Sequence, residues 1–204
     1  MPEEICEKVT RYLLASFEIG CEIPFESEVA AYEVIGVAPR AEFDIIHNGK
    51  KHKVVTYDND HSVPCRSYGI SEQTKALKQE YRGLEGKELG KLRKSGVAIE
   101  EFFWTRRFVY IGDTTERVFE LNPDLFEYKS IIIECTFLED DDLEQGQVTK
   151  NCHWRTLRPI IEAHPEIQFV LYHFSMRYKP QEIVDFFKEG GENYLSNVHP
   201  WTHS

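Results

Sequence analysis

The chain has 204 residues and a mass of 23.9 kDa, enough for one sizeable core, and its 41% hydrophobic content is that of an ordinary globular protein. A net charge of −11 disfavours broad non-specific binding to nucleic acid. No run approaches the roughly eighteen apolar residues a membrane-spanning helix needs, so no membrane partner is expected. Met1-Pro2-Glu3-Glu4 is acidic where a secretory leader would be basic and then apolar. Cys6, Cys21, Cys65, Cys135 and Cys152 are odd in number and lack a C-x-x-C spacing. They read as free thiols of an intracellular protein, cytoplasmic or nuclear, and not as a disulfide frame or a structural zinc site.

Along the chain, Glu3 to Ile19 has Ile5, Val9, Tyr12, Leu13 and Phe17 at helical spacing, with Gly20 as the expected stop. Ala30 to Val37 and Ala41 to Ile46 read as strands divided by Gly36 and Pro39. Asn48-Gly49 between Ile45-Ile46 and Val54-Val55 is a strong hairpin signal, with His52 to Tyr57 as the returning strand. Ser62 to Ile70 predicts another strand with its proline near the start. Ala76 to Glu88 mixes good helix formers with Gly83 and Gly86, and Gly86 to Leu92 predicts a short helix. Phe102 to Ile111 reads as a strand, and Arg117 to Phe126 as mixed, helical until Asn122-Pro123. Lys129 to Phe137 contains the wholly apolar Ile131-Ile132-Ile133, the pattern of a strand buried on both faces. Trp154 to Ala163 has helical spacing and stops at His164-Pro165. Phe169 to Tyr172 is a further buried strand, and Pro180 to Lys188 a last helix closed by Gly190-Gly191. The tail from Asn193 has no usable pattern, and there is no internal repeat.

Residues of ligand type stand where these strands end. Phe108-Val109-Tyr110-Ile111 runs through Gly112 into Asp113, the Ile131–Ile133 run ends at Glu134, and Phe169 to Tyr172 ends at His173. His61 follows the hairpin's second strand, and His153 precedes a helix. Sites in α/β sheets form just outside strand ends, where loops converge on one crevice. Imidazole and carboxylate are ligands that suit zinc or manganese, so the pattern points to a divalent-metal site. Taken singly, each of these residues is as ordinary as a turn cap or a core histidine. Charge is distributed unevenly: Lys75, Lys78, Arg82, Lys87, Lys91, Arg93 and Lys94 crowd one segment, whereas Glu139 to Asp142 is solidly acidic. The basic segment is either a local nucleic-acid surface or a solvated face.

Six segments resemble one family. They are His61-Ser62-Val63-Pro64 with Ser67-Tyr68-Gly69, Lys78 to Gly86, Leu92 to Val97, Ile111 to Thr115, Glu134 to Leu138, and His173-Phe174-Ser175-Met176-Arg177-Tyr178. In order and approximate spacing, from about residue 55 to 188, they are similar to ribonuclease Z, the transfer-RNA 3′-processing endonuclease, in its short eukaryotic-like form. The resemblance implies a metallo-β-lactamase-like αββα sandwich, two sheets packed face to face with helices outside, as a single domain over residues 1–204. It implies one or two zinc ions, with His61 on one, His173 on the other and Asp113 bridging both. Such metals lower the pKa of a shared water. His153, backed by Glu134, would then donate a proton to the leaving oxygen of the RNA. Lys78, Tyr81, Arg82 and Lys87 are the expected contacts to the tRNA precursor.

One departure matters more than the others. The family's upstream His-x-His-x-Asp-His motif is absent, and the first histidine is His47. Smaller departures are the Ser67-Tyr68 spacing before glycine and Cys152-His153-Trp154 in place of a glycine-led histidine motif. The chain therefore resembles the C-terminal half of the enzyme, an α/β fold incomplete at its N-terminus. Weak metal binding follows, with activity dependent on a homodimer or on pairing with a complete subunit. The alternative is a catalytically silent module that binds RNA or pairs with such a subunit.

Overall fold

In the computed structural model the described residues are 1–21 and 33–202. Seven strands form one sheet in chain order: β1 (Glu42–His47), β2 (Lys50–Asp58), β3 (Arg66–Leu77), β4 (Glu100–Ile111), β5 (Ser130–Glu134), β6 (Gln168–Tyr172) and β7 (Val198–Pro200). The first four make an antiparallel meander, and β5, β6 and β7 then add in parallel. Asn48 (φ 50°) and Gly49 (φ 72°) both adopt left-handed backbone, which gives β1 and β2 the two-residue turn that matches strand twist. Helices α1 (Glu3–Cys21), α2 (Gly86–Lys94), α3 (Val118–Leu121), α4 (Leu143–Thr149), α5 (Trp154–Glu162) and α6 (Pro180–Phe186) complete the order. No helix among the described residues is long and apolar enough to cross a membrane.

Alternation along the strands decides which side is the core. Val109, Ile111, Ile131, Ile133, Phe169 and Leu171 are fully buried against Val118 of α3, Leu157 and Ile161 of α5, and Ile183 of α6. Their neighbours on the other face are more open: Phe108 and Tyr110 are 38% and 41% exposed, and Ile132 and Val170 are half-buried. The α/β class is as expected. Of the two expected sheets, the described residues form one, backed by helices on one side and presenting apolar side chains on the other.

Local readings held where one element decided the pattern and failed where a distant partner did. β3 runs on to Leu77, into the stretch expected to be helical, because Thr74, Lys75, Ala76 and Leu77 pair with Phe103, Phe102, Glu101 and Glu100. Cross-strand pairing outweighs helix propensity there. The strand begins at Arg66, and Ser62 to Cys65 is loop. The expected strand over 30–37 falls partly outside the described residues, and only Val37 makes a bridge, to Pro2. The unpatterned tail contributes β7, an edge strand where Pro200 costs no ladder bond.

The topology fixes where a site can lie. β2 is antiparallel to β3, and β3 to β4, so β2, β4, β5 and β6 all run in one direction. Their C-terminal ends share one edge, and the loops that follow them meet there.

Candidate functional site

Asp113 lies two residues beyond β4, Glu134 is the last residue of β5, His173 is the first residue after β6, and His61 sits in the loop after β2. Parallel pairing sets Ile111 beside Ile133 and Glu134 beside Tyr172, so these positions become neighbours across the edge. Gly112 is required by close approach: a Cβ there would lie 2.8 Å from the Cys65 sulfur. Asn59 Nδ2 donates to the Asp113 carbonyl at 3.2 Å and holds the turn from the β2 side.

The two histidines expected to hold metal converge on Asp113. His61 Nε2 stands 4.0 Å from Asp113 Oδ2, and His173 Nε2 stands 3.7 Å from Asp113 Oδ1. Each imidazole therefore faces a different oxygen of the same carboxylate. A zinc ion bound by an imidazole nitrogen and a carboxylate oxygen at about 2.1 Å each spans at most about 4.2 Å between them. Both gaps fall below that linear limit but exceed the roughly 3.4 Å of a tetrahedral ion, so the side chains would have to close in to share one. As a complete site the cluster falls short, because each gap offers two protein donors where zinc takes four. Among the described residues no group of three or more His, Cys, Asp or Glu side chains is arranged to hold a metal ion. The donor chemistry fits a metal; the donor number does not close a shell.

The far nitrogens of both histidines are engaged. His61 Nδ1 lies 2.7 Å from the Lys150 carbonyl, which can only accept, so Nδ1 carries a proton and, in the neutral ring, Nε2 faces Asp113 with its lone pair. His173 Nδ1 lies 3.0 Å from Thr136 Oγ1. Metal-binding histidines are oriented in this way, with the second ring nitrogen donating to a fixed acceptor. Unusual backbone marks both pairs: Lys150 (φ 55°), which supports His61, and His173 (φ 61°) itself are left-handed without being glycine. The His61 side chain is 11% exposed and that of His173 47%, so a ligand reaches Asp113 from the His173 side.

Glu134 is fully buried and accepts five hydrogen bonds. Oε1 receives Thr114 N at 3.2 Å, Asn151 Nδ2 at 2.9 Å and Cys152 N at 2.9 Å. Oε2 receives Thr136 N at 3.0 Å and Thr136 Oγ1 at 2.8 Å. Burial pushes its carboxyl above the usual carboxylate value, opposed by those donors. Beside it, Asp60 binds Lys150 Nζ at 2.7 Å and Thr115 Oγ1 at 2.8 Å, and these two hold its carboxyl below the ordinary value.

His153 is placed apart from this cluster. It caps α5: its Nδ1 accepts Arg155 N–H at 3.0 Å, which leaves Nε2 to donate to the Glu139 carbonyl at 2.8 Å. The residue is buried and both ring nitrogens are used. Glu134 reaches the backbone next to His153, at Cys152, and not its ring. A cavity of about 310 Å³ lies on this side, lined by Asp60, Thr115, Lys150, Asn151, His153 and Thr156. Thr136 and Lys150 were not singled out by sequence. The first follows Glu134 by two residues and the second precedes His153 by three, but no pattern marks a hydroxyl or a carbonyl as a support.

The basic segment is remote. Lys78, Tyr81 and Arg82 surround a short 3-10 turn (Gln79–Tyr81), and Lys87 lies on α2, all between β3 and β4. Twelve residues of β4 separate that end from the site edge, on the order of 35 Å at the rise of a strand. Arg82 and Lys87 are exposed, while Lys75 and Arg93 both pair with Glu100.

Two strand-end imidazoles around a shared carboxylate, carried by a half-covered sheet, define an α/β protein with polar side chains gathered at the carboxyl ends of its strands. Its sequence is similar to tRNase Z proteins over most of its length. It is 31% identical over 163 residues to tRNase Z TRZ1 of Arabidopsis thaliana, covering 78% of this chain and 57% of the relative. It is 33% identical over 148 residues to the chloroplastic tRNase Z TRZ2 of the same plant, covering 70% of this chain and 41% of the relative. The chain thus spans about half the length of the curated relatives it matches. No protein-family model matches. Among solved structures, the short form of human tRNase Z aligns at a TM-score of 0.38 and 16% identity, over 78% of this chain and 44% of that one. A metallo-β-lactamase fold protein of Bacillus subtilis aligns at 0.49 and 12%, over 92% and 68%.

Proposed function

We propose that this chain is the strand-end half of a metal-dependent phosphodiesterase of the tRNase Z type, acting on the 3′ side of tRNA precursors. The observation behind this reading is the pair of Nε2 atoms facing opposite oxygens of Asp113. Divalent cations, zinc by the family resemblance, would be held by His61, Asp113 and His173. They would supply Lewis-acid polarisation of a phosphodiester and of its attacking water. The chain's own residues orient the donors: Lys150 and Thr136 hold the two imidazoles, and Asn59 holds the Asp113 turn. His153 acts as proton donor to the leaving oxygen only after its Nε2–H releases the Glu139 carbonyl.

Further donors come from a partner, a second copy or a complete subunit, packed on the exposed sheet face beside the site. Phe108, Tyr110 and Trp201 supply apolar surface for it. A cavity of about 490 Å³ between Tyr110, Tyr172, His173, Phe174 and Trp201 extends the same surface. If pairing with RNA or a subunit were the whole role, metal would be dispensable.

Metal content separates the two readings. With two donors in each gap, purified and dialysed protein is expected to retain at most one weakly held zinc per chain, measured by elemental analysis. Two tightly retained equivalents would mean that donors beyond His61, Asp113 and His173 complete the shells. No detectable binding at any zinc concentration leaves the silent-module reading.

Reversing Lys78, Arg82 and Lys87 to glutamate is expected to weaken binding of a tRNA precursor. It should also reduce the slope of log affinity against log salt by about three, one for each phosphate contact removed. A slope unchanged by the triple reversal makes this segment a solvated face.

A further inference from the structure

Glu134, through Thr136, connects to the backing of every candidate ligand. Its Oε1 holds Thr114 N, the residue next to Asp113, and also Asn151 and Cys152, the residues that follow the Lys150 carbonyl on which His61 rests. Its Oε2 takes both the backbone N–H and the hydroxyl of Thr136, and Thr136 Oγ1 meets His173 Nδ1. Four of the five donors are N–H groups and cannot reverse, so both oxygens act as acceptors. The Thr136 hydroxyl has one proton and donates it to Oε2 at 2.8 Å. Only lone pairs remain on Oγ1 to face His173 Nδ1.

We propose that Thr136 is a positioning residue whose hydroxyl, fixed by Glu134, holds His173 in the Nδ1–H tautomer and so turns a bare Nε2 toward Asp113. The inference deepens the metal reading of this site and rests on it for its consequence, though not for its geometry. Without the hydroxyl, His173 loses its acceptor at Nδ1 and keeps the Asp113 carboxylate, 3.7 Å from Nε2, which draws the proton to Nε2. The residue is nearly half exposed, so water then serves Nδ1, and the Nε2–H form places a proton where a ligand lone pair is needed. The left-handed backbone at His173 fixes where its side chain leaves the main chain, and Thr136 fixes the ring's remaining choice.

The test compares the full chain with Thr136→Val, which keeps the shape and backbone donor but not the hydroxyl, and Thr136→Ser, which restores the hydroxyl. Two quantities are read without any cleavage assay. One is the tautomer of His173 from its imidazole nitrogen-15 shifts, taken at a pH where the shifts themselves show a neutral ring. The other is zinc affinity by competition with a chelator. The native chain should show Nδ1–H. Thr136→Val should shift the population toward Nε2–H and weaken zinc by about 10–100-fold, as loss of an outer support does elsewhere. Thr136→Ser should recover both. A native chain already dominated by Nε2–H overturns the proposal even if the valine variant does not fold, and so does a valine variant that keeps the native tautomer. Absence of zinc binding in the native chain counts against the metal reading alone, and the tautomer comparison then decides this one.

Discussion

Glu134→Leu is expected to cost about 3–5 kcal/mol of folding stability, among the larger effects of any single substitution in the chain. The reason lies in the donors and not in the carboxylate's own interactions. Five hydrogen-bond donors from residues 114, 136, 151 and 152 converge on one buried side chain. A leucine fills the space and leaves them without an acceptor, at about 1–3 kcal/mol for each donor that water cannot reach. Glu134→Gln should cost less, since an amide keeps one carbonyl and turns its NH₂ toward the Thr136 hydroxyl, which can accept. Denaturant midpoints at constant slope measure both. A leucine variant within about 1 kcal/mol of the native chain would mean that water replaces the carboxylate and that the site is more open than its burial implies. The same substitution should also release the loop at Lys150 and so uncouple His61, readable as faster amide exchange over 150–152.

The sequence made the site's membership legible and left its wiring illegible, for a physical reason. Asp113, Glu134 and His173 stand at ends of short apolar runs, and parallel strands of similar length put their ends at one edge. Strand-end position alone therefore placed them together. His61 was legible because β2 runs parallel to β4 with one strand between them, although nothing in its own neighbourhood says so. What joins them are single hydrogen bonds to a carbonyl and a hydroxyl, at Lys150 and Thr136. Any residue has a carbonyl, and left-handed backbone at a lysine or histidine leaves no compositional mark.

His153 shows the converse. A histidine directly before an amphipathic helix can be an acid or an N-cap. The choice rests on where Glu139 and Arg155 put their backbone groups, which no local pattern records. The fold shows the same division. Helix α5 and the Asn48-Gly49 hairpin follow from local signals, while the second half of β3 exists only because β4 lies beside it.

The isolated 204-residue chain is expected not to cleave a tRNA precursor at its 3′ side, and this is the largest effect anticipated. In-line displacement at phosphorus needs the attacking water, the phosphate charge and the leaving oxygen held together in one geometry. Asp113 gives one oxygen to each gap and His61 and His173 one nitrogen apiece, which is half a zinc shell on either side. Positioning and electrostatic stabilisation fail together when ligands are missing, so the deficit should be many orders of magnitude. Adding, in trans or by fusion, the part of a tRNase Z relative that this chain does not match should restore cleavage. Asp113→Ala should abolish it again by removing the carboxylate common to both gaps. Phe108→Asp with Tyr110→Asp should block rescue in trans while leaving the Asp113 cluster intact, because charge on the apolar face opposes packing of the second layer. The assay is incubation of labelled precursor with zinc or manganese, with and without a chelator. Robust, chelator-sensitive cleavage by this chain alone, lost in Asp113→Ala, would show that His61, Asp113 and His173 suffice with water for catalysis and that the upstream ligands are dispensable.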